Sequence, residues 1–593
     1  MIPTVTAGTD MDVAIDDWLA RFDAALRDGD AAAIVALFEV DGYWRDLLSF
    51  TWNIRTMEGR DAVADMLAAC VARTGPCDWR REGPAEATED GTAAWIDFET
   101  EAAWCKGRLT IRDGLCHMLL TAMDDIKGHE EPKGRRRPMG LEHKAARDRE
   151  TWSERRARTS AGLGVAEQPE VLIIGAGQGG VALAARLKQL GVPTLVVERN
   201  PRVGDSWRNR YRSLVLHDPV WYDHLPYLPF PETWPVFCPK DKIGDWLEAY
   251  ALIFELDVWT SASCETARRD PETGLWTARI RRDGAEVTVA PKQLVFCTGA
   301  YGPPHEPDFP GQDTFEGTIL HSAHYRSGMD FRGKRALVIG AGSSGHDIAA
   351  DLWESGAEVT ILQRRPSIVV RSETLMRHGF NTYSEAAAEA GLTTEKADML
   401  AAATPFRMFC EKQKGVYAAI REEDSEFYRR LGAAGFDFDF GEDGSGLMSR
   451  ALRTASGYYI DVGASTLIAD GEIAVIAGAG IERLTPEGAR LTSGRAVEAD
   501  VIIACTGYQS MNEAVAGIVD RETADRVGPC WGLGSGVQGD PGPWLGELRN
   551  MWKPTAQDGL WFHGGNLALS RFYSKFVALQ IKARHEGIPT PVY

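Results

Sequence analysis

One stretch, Val171-Leu-Ile-Ile-Gly-Ala-Gly-Gln-Gly-Gly-Val181, constrains this chain more than any other: an apolar run enters a glycine-rich turn and then a helical pattern from Ala182 to Leu190. Gly175 permits the tight turn, Gly177 lets the backbone approach a pyrophosphate, and Gly180, next to Gly179, lets the helix pack closely on the strand. The helix N-terminus that follows suits phosphate. A second apolar run, Pro193-Thr-Leu-Val-Val-Glu198, places a carboxylate and then Arg199 where the hydroxyls of a ribose are held. The spacing predicts a strand, turn, helix, strand unit that binds a dinucleotide.

The design occurs twice. Lys334-Arg-Ala-Leu-Val-Ile-Gly-Ala-Gly-Ser-Ser-Gly345 runs from a strand into a second turn, with Gly340, Gly342, Ser343, Ser344 and Gly345 as its cofactor-binding candidates and a helix from Asp347 to Glu354. Its second strand, Glu358 to Leu362, ends in Gln363-Arg364-Arg365 instead of a carboxylate. Guanidinium groups at that position suit a 2′-phosphate, which an acidic residue would repel. The first turn is therefore expected to hold FAD through Glu198, and the second NADPH through Arg364 with Arg365 beside it. Leu294 to Gly299 and Asp500 to Tyr508 return the chain toward the cofactors and add Thr298, Gly299, Thr506 and Gly507. Gly204 and Trp207, in the aromatic segment Val203 to Tyr211, complete the flavin set.

With 593 residues the chain exceeds one hydrophobic core. The expected fold class is α/β, with two Rossmann-type domains, the FAD domain split by an inserted NADPH domain, behind a small α+β cone-like domain. The boundaries are 1–128 for the α+β domain, 129–168 for a charged linker, 169–328 for the first part of the FAD domain, 329–499 for the NADPH domain and 500–593 for the rest of the FAD domain. A helical insertion spans 371–460, with helices at 384–390, 394–403 and 413–431, and a last helix runs from Ala568 to Glu586. The linker is expected to carry a helix from Leu141 to Arg158.

In the N-terminal unit, helices are expected at 16–26, 30–38 and 59–71, followed by strands at 93–100, 103–112 and 114–122. Trp44-Arg-Asp46, Thr51-Trp-Asn53 and Met57-Glu-Gly-Arg-Asp61 resemble the nuclear transport factor 2 type (SnoaL-like) of cone-shaped domain. Such cones can host a pocket, here from Asp46, Asn53, Trp104 and His117. The plainer reading takes these as core and turn residues of a docking or homodimerisation module.

The net charge of −20 argues against a nucleic-acid partner, because phosphate neutralisation needs clustered Lys and Arg. No stretch reaches the roughly 18 apolar residues of a membrane span, so a cytoplasmic protein is expected. No metal site is assigned. The ten cysteines include no CxxC pair, which argues against a flavin-linked disulfide reductase.

Over about 170–590 the chain resembles the class B flavoprotein monooxygenases. Phe315-Glu-Gly-Thr-Ile-Leu-His-Ser-Ala-His-Tyr325 fits that family's F-x-G-x-x-x-H-x-x-x-(F/Y) signature between the two glycine turns. Its ending in Tyr325-Arg326 favours the flavin-containing monooxygenase branch, and Gly204 to Tyr211 with Leu214 to His217 resemble that branch's plant auxin-forming group. The resemblance implies that NADPH reduces FAD and that a flavin C4a-hydroperoxide passes one atom of O2 to a small organic substrate. N- or S-oxygenation leads, with Baeyer–Villiger or 2-oxo-acid oxidation as the alternative. A third reading is an NADPH oxidase or redox-sensing flavoprotein. His217, Asn566 and Tyr508 are the candidate catalytic residues at the flavin front.

Overall fold

The computed structural model describes residues 8–74, 78–140, 145, 147–299, 302–532 and 546–593. The N-terminal domain begins with α1 (Gly8–Asp28) and α2 (Ala31–Ala36), continues through β1 (Phe38–Leu47), β2 (Ile54–Glu58) and α3 (Gly59–Thr74), and closes with β3 (Arg80–Thr88), β4 (Gly91–Glu99), β5 (Ala103–Arg112) and β6 (Leu115–Ile126). These strands form one sheet in the order β2-β1-β6-β5-β4-β3, antiparallel except where β1 runs parallel to β6.

The helix expected to reach Phe38 stops at Ala36, because Leu37 O accepts the Cys116 N–H at 2.7 Å and draws the chain into pairing with β6. Strands β1 and β3 were not expected from the sequence, since their alternation is broken by Gly, Asp and Glu. The core of this domain is packed with rings: Trp18, Phe22, Phe38, Trp44, Phe50, Trp79 and Phe98 are all buried, and Trp79 stacks on Phe98 with centroids 4.0 Å apart.

Asp46 is fully buried and accepts hydrogen bonds from Thr121 Oγ1 (2.6 Å), Thr51 Oγ1 (2.7 Å) and the backbone N–H groups of Phe50 and Thr51. Asn53 donates to Tyr593 O, His117 pairs with Glu39, and the exposed Trp104 donates to Glu130. Among the described residues, no hydrogen bond joins any two of these four.

The linker helix α4 (Trp152–Gly162) starts later than expected, at a capping box in which Thr151 and Glu154 satisfy each other's backbone N–H groups. Residues 141–144 and 146 of the expected helix lie outside the described residues. The first parallel sheet places β7 (Val171–Ile174) at its centre, in the order Leu560–Phe562, Gln293–Phe296, β7, Thr194–Val197, Val258–Trp259. The second has the same plan around Arg335–Ile339, in the order Thr318–His321, Val501–Ala504, Arg335–Ile339, Glu358–Gln363, Ala474–Ala477. Thr318–His321 and Val501–Ala504 fall in the flavin unit by the sequence boundaries at 328 and 500, yet both pair in this second sheet. The crossing between domains therefore precedes the signature strand and follows Ala504.

The segment 371–460 holds helices together with the short strands Phe438–Asp439 and Tyr458–Asp461, and the helix sought at 413–431 is two, Phe406–Glu423 and Ser425–Ala433, broken at Asp424 with φ −95° and ψ 20°. Its helix Thr394–Ala403 lies against β5 and β6 and the final helix Leu567–His585 against β6, so the chain itself covers that part of the N-terminal sheet. The described cysteines are buried, apart from half-buried Cys505; Cys77 lies outside the described residues. Among the described residues, no helix is long and apolar enough to cross a membrane.

Candidate functional site

A cleft of about 1680 Å³ lies where the C-terminal ends of the two parallel sheets face each other. It exceeds the roughly 300–1,000 Å³ of a single small-ligand pocket. Both glycine turns open into it, and their geometry is nearly superposable in chemical terms. Gly175 has φ 103° and Gly340 φ 111°, and a Cβ on either would come within 2.5 Å of a carbonyl oxygen, that of Cys297 or Cys505. A Cβ on Gly180 would sit 1.9 Å from Gly175 O, and one on Gly345 2.0 Å from Gly340 O. The middle glycines differ. A Cβ on Gly177 would find its nearest neighbour at 3.7 Å and one on Gly342 at 3.8 Å, because both face the open cleft.

Gly177 and Gly342 are N-caps of the helices Gln178–Gln189 and Ser343–Glu354, and neither cap makes a side-chain hydrogen bond. The first-turn N–H groups and the helix dipoles thus face the cleft, an arrangement that fits two pyrophosphates. Glu198 is buried, accepts the Ala176 N–H at 2.8 Å and two donors from Asn200, and still lines the cleft. The lining also includes Gly175, Gly177, Gly179, Arg199, Trp207, His217, Thr298, Gly299, Gly342, Ser343, Ser344, Gly345, Thr506, Gly507 and Tyr508. Gly180, Gly204 and Gly340 stand behind it as packing positions; a Cβ on Gly204 would meet Gly244 O at 2.1 Å. Arg364 and Arg365 are exposed at the strand end and are not in the lining.

Asn566 is a cap more than a front residue. Its side chain accepts the Leu569 N–H at 2.9 Å at the start of the final helix and donates to Tyr222 Oη at 3.4 Å. It also bonds Asp218, which the sequence reading passed over. Burial pushes the carboxyls of Asp218 and Asp223 up, and the charge of Asp218 raises that of Asp223 further, while His217 and the Asn566 bond pull Asp218 the other way. The available signal was two acids in an otherwise apolar, aromatic segment.

His217 faces the nicotinamide side: its Nε2 is 3.4 Å from Asp347 Oδ1, while Tyr211 Oη donates to Asp347 Oδ2 at 2.6 Å. Burial opposes a charge on His217, but the Asp347 carboxylate together with those of Asp218 and Asp461 outweighs it, so the imidazole pKa is raised. Tyr508 Oη accepts from Arg210 at 3.1 Å, and its ring meets the edge of His321 at 5.6 Å.

The signature now has a physical account. A Cβ on Gly317 would come within 2.4 Å of both Asp500 O and the Phe315 ring, so only glycine fits there. His321 Nε2 is 3.1 Å from Gly507 O, which braces the return loop carrying Tyr508. Tyr325 donates to Asp351 at 2.6 Å, and the Gly328 N–H takes the same oxygen at 2.7 Å. The segment ties the domain crossing to the cleft loop on one side and to the nicotinamide helix on the other.

Two glycine turns facing one cleft fit an oxidoreductase with two dinucleotide cofactors. The family model described as pyridine nucleotide-disulphide oxidoreductase matches residues 172–441. Indole-3-pyruvate monooxygenase YUCCA1 of Oryza sativa subsp. japonica is 34% identical over 345 residues, 58% of this chain and 77% of that protein. The probable indole-3-pyruvate monooxygenase YUCCA1 of Arabidopsis thaliana is 31% identical over 341 residues, 57% of this chain and 75% of that one. Among solved structures, the open form of cyclohexanone monooxygenase aligns with a TM-score of 0.51 at 17% identity, covering 71% of this chain and 88% of that one. OTEMO crystallised with FAD and NADP aligns with a TM-score of 0.51 at 18% identity over 71% and 85%.

Over residues of about 170–590 the chain belongs to the class B flavin monooxygenases. It is a flavin-containing monooxygenase of the kind that uses FAD, NADPH and O2.

Proposed function

We propose that this enzyme converts a 2-oxo acid bearing an aromatic side chain into the carboxylic acid one carbon shorter. The reaction balances as R–CO–COOH + O2 + NADPH + H⁺ giving R–COOH + CO2 + NADP⁺ + H2O. The observation that carries this reading is the match to the indole-3-pyruvate monooxygenases across three quarters or more of their length. It moves the 2-oxo-acid alternative ahead of N- or S-oxygenation.

In this reading the turn Gly175 to Gly180 holds the pyrophosphate of FAD on the helix N-terminus, and Glu198 accepts the ribose hydroxyls. The turn Gly340 to Gly345 holds that of NADPH, with Arg364 on the 2′-phosphate, where its exposure leaves the guanidinium open to a ligand. FAD held there and reduced by NADPH would supply the electrons that activate O2 for transfer of one of its oxygen atoms. The chain's own residues keep the two cofactors in register: Tyr211 and His217 of the flavin half hold Asp347 in the first turn of the nicotinamide helix. Arg210 and His321 hold the loop that carries Tyr508 into the cleft.

The test is stoichiometry. With indole-3-pyruvate, phenylpyruvate and a panel of sulfides, amines and cyclic ketones, one NADPH oxidised should give one CO2 and one acid only from the 2-oxo acids. Substrate-dependent NADPH use with sulfides or amines and none with 2-oxo acids would replace this assignment by heteroatom oxygenation.

A further inference from the structure

The N-terminal domain has no assigned part in the chemistry, yet one of its buried charged side chains reaches out of it into the catalytic part. Arg45 on β1 is 8% exposed and makes four polar contacts, none within its own domain. Its Nε and Nη2 donate in a fork to Glu547 Oε1 and Oε2 at 2.6 and 2.8 Å. Nη2 also donates to Tyr573 Oη at 2.9 Å and Nη1 to Ala402 O at 2.8 Å. Thr56 Oγ1 adds a 2.8 Å bond to the same Glu547. Three separate pieces of the catalytic part, the 546–552 segment, the insertion and the final helix, thus converge on one guanidinium.

Glu547 lies on one arm of a short strand-like pair. The Trp531 N–H donates to Arg549 O at 3.1 Å and the Arg549 N–H to Gly532 O at 3.3 Å, while Asn550 Nδ2 donates to Val527 O and Pro529 O at 2.9 Å each. The other arm carries Pro529, Cys530, Trp531 and Gly532 into the cleft lining. A second route leads to the same place. Tyr573 stacks on Trp552 with centroids 3.8 Å apart and rings 3° from parallel, and Trp552 meets the edge of Trp531 at 6.3 Å. Trp552 also donates to Gly564 O at 3.1 Å, and Gly564 lines the cleft beside the flavin turn, with its Cα 3.0 Å from where a Gly179 Cβ would stand.

These arms are strained. Trp531, Asn550 and Trp552 have φ of 74°, 53° and 65°, left-handed values that a bulky side chain disfavours. Such conformations persist where the surroundings over-determine them, and they concentrate at functional walls. Here an external brace is present, a forked and buried charge pair whose geometry suits arginine and not lysine.

We propose that Arg45 is a positioning residue for the oxygenation site: through Glu547 and Tyr573 it holds the strained arms on which Trp531 forms part of the wall facing the substrate. The N-terminal domain is then a working part of the enzyme. The inference rests on the cleft being the oxygenation site, and its structural arm is independent of which substrate is used.

The experiment compares FAD-loaded full-length protein with the neutral pair Arg45→Met with Glu547→Gln, which removes both charges of the fork together, and with Arg45→Lys and Trp531→Ala. Flavin content and the KM for NADPH should stay within about twofold of the parent. Amide hydrogen exchange over 527–532 should rise at least tenfold in the neutral pair, while 171–190 is unchanged. The KM for the 2-oxo acid and the share of NADPH oxidised to free H2O2 should move as they do in Trp531→Ala. Arg45→Lys, which keeps the charge and loses the fork, should give a smaller shift in the same direction, and it serves alone if the neutral pair does not fold. Unchanged exchange over 527–532 in folded, flavin-loaded protein would overturn the proposal, as would raised exchange with unchanged KM and peroxide share. If no 2-oxo acid is turned over by the parent, the function proposed above falls, and the exchange and peroxide readouts still decide the role of Arg45.

Discussion

Oδ1 of Asp347 stands 3.4 Å from His217 Nε2, so the first turn of the nicotinamide helix is latched to the segment that leads away from the flavin turn. The ion pair depends on proton occupancy. Asp218, Asp461 and His346 also face this histidine, and the Asp347 carboxylate is the strongest influence keeping its pKa above the ordinary 6.5.

Asp347→Asn should therefore change the pH dependence of stability. A histidine with a raised folded pKa stabilises fully below its unfolded value, and that contribution is lost as pH rises through the folded value. The melting-temperature gap between parent and variant should be widest at about pH 5.5 and shrink by about pH 8.5. A gap that is constant or grows with pH would show that His217 is not charged by Asp347.

The two glycine classes of the flavin turn should separate folding from cofactor binding. Gly177→Ala adds a methyl group into open cleft, so the protein should fold with a parental apo melting temperature and bind FAD at least about tenfold more weakly. Gly180→Ala places its methyl group 1.9 Å from Gly175 O and should cost about 3 kcal/mol or more of stability. Flavin absorbance against circular-dichroism melts distinguishes them, and equal melting temperatures for the two variants would contradict the packing described.

On the nicotinamide side, Gly342→Ala should raise the KM for NADPH and NADH alike with full flavin content. Arg364→Ala should raise the KM for NADPH about tenfold or more and leave that for NADH nearly unchanged, because only the 2′-phosphate is lost to it. Equal effects on both nucleotides would remove the 2′-phosphate from Arg364.

Tyr325→Phe removes one buried hydrogen bond to Asp351 but leaves the Gly328 N–H on the same oxygen. The expected loss is about 1–2 kcal/mol by urea melt, with KM values unchanged. A large KM change would give the signature tyrosine a role in the cleft beyond tying the crossing segment to its helix.

Much of this was legible in the chain, and the reason lies in backbone contacts. Gly175, Gly180, Gly340 and Gly345 each face a carbonyl oxygen at 1.9–2.5 Å from a would-be Cβ, so local geometry alone demands their spacing. Glu198 and the cavity position of Tyr508 followed from strands whose apolar runs are continuous. Leu37 left its helix because of a strand 79 residues later, a pairing that local propensity does not encode. Asp347 and Asp218 look like ordinary polar residues until the fold closes on them. Arg45 and Trp531 acquire their meaning only from contacts across most of the chain.

That distance bears on how the protein is made. Arg45 and Glu547 are 502 positions apart, which at ordinary rates of synthesis is roughly 25–100 s of elongation. Through that interval the ring-filled N-terminal core can already be complete, while its guanidinium and the outer face of its sheet wait without their final cover. Newborn chains should therefore pass through a long-lived species with one finished domain and one bare docking face, and chaperone occupancy during translation should peak there and fall when the last helix leaves the ribosome.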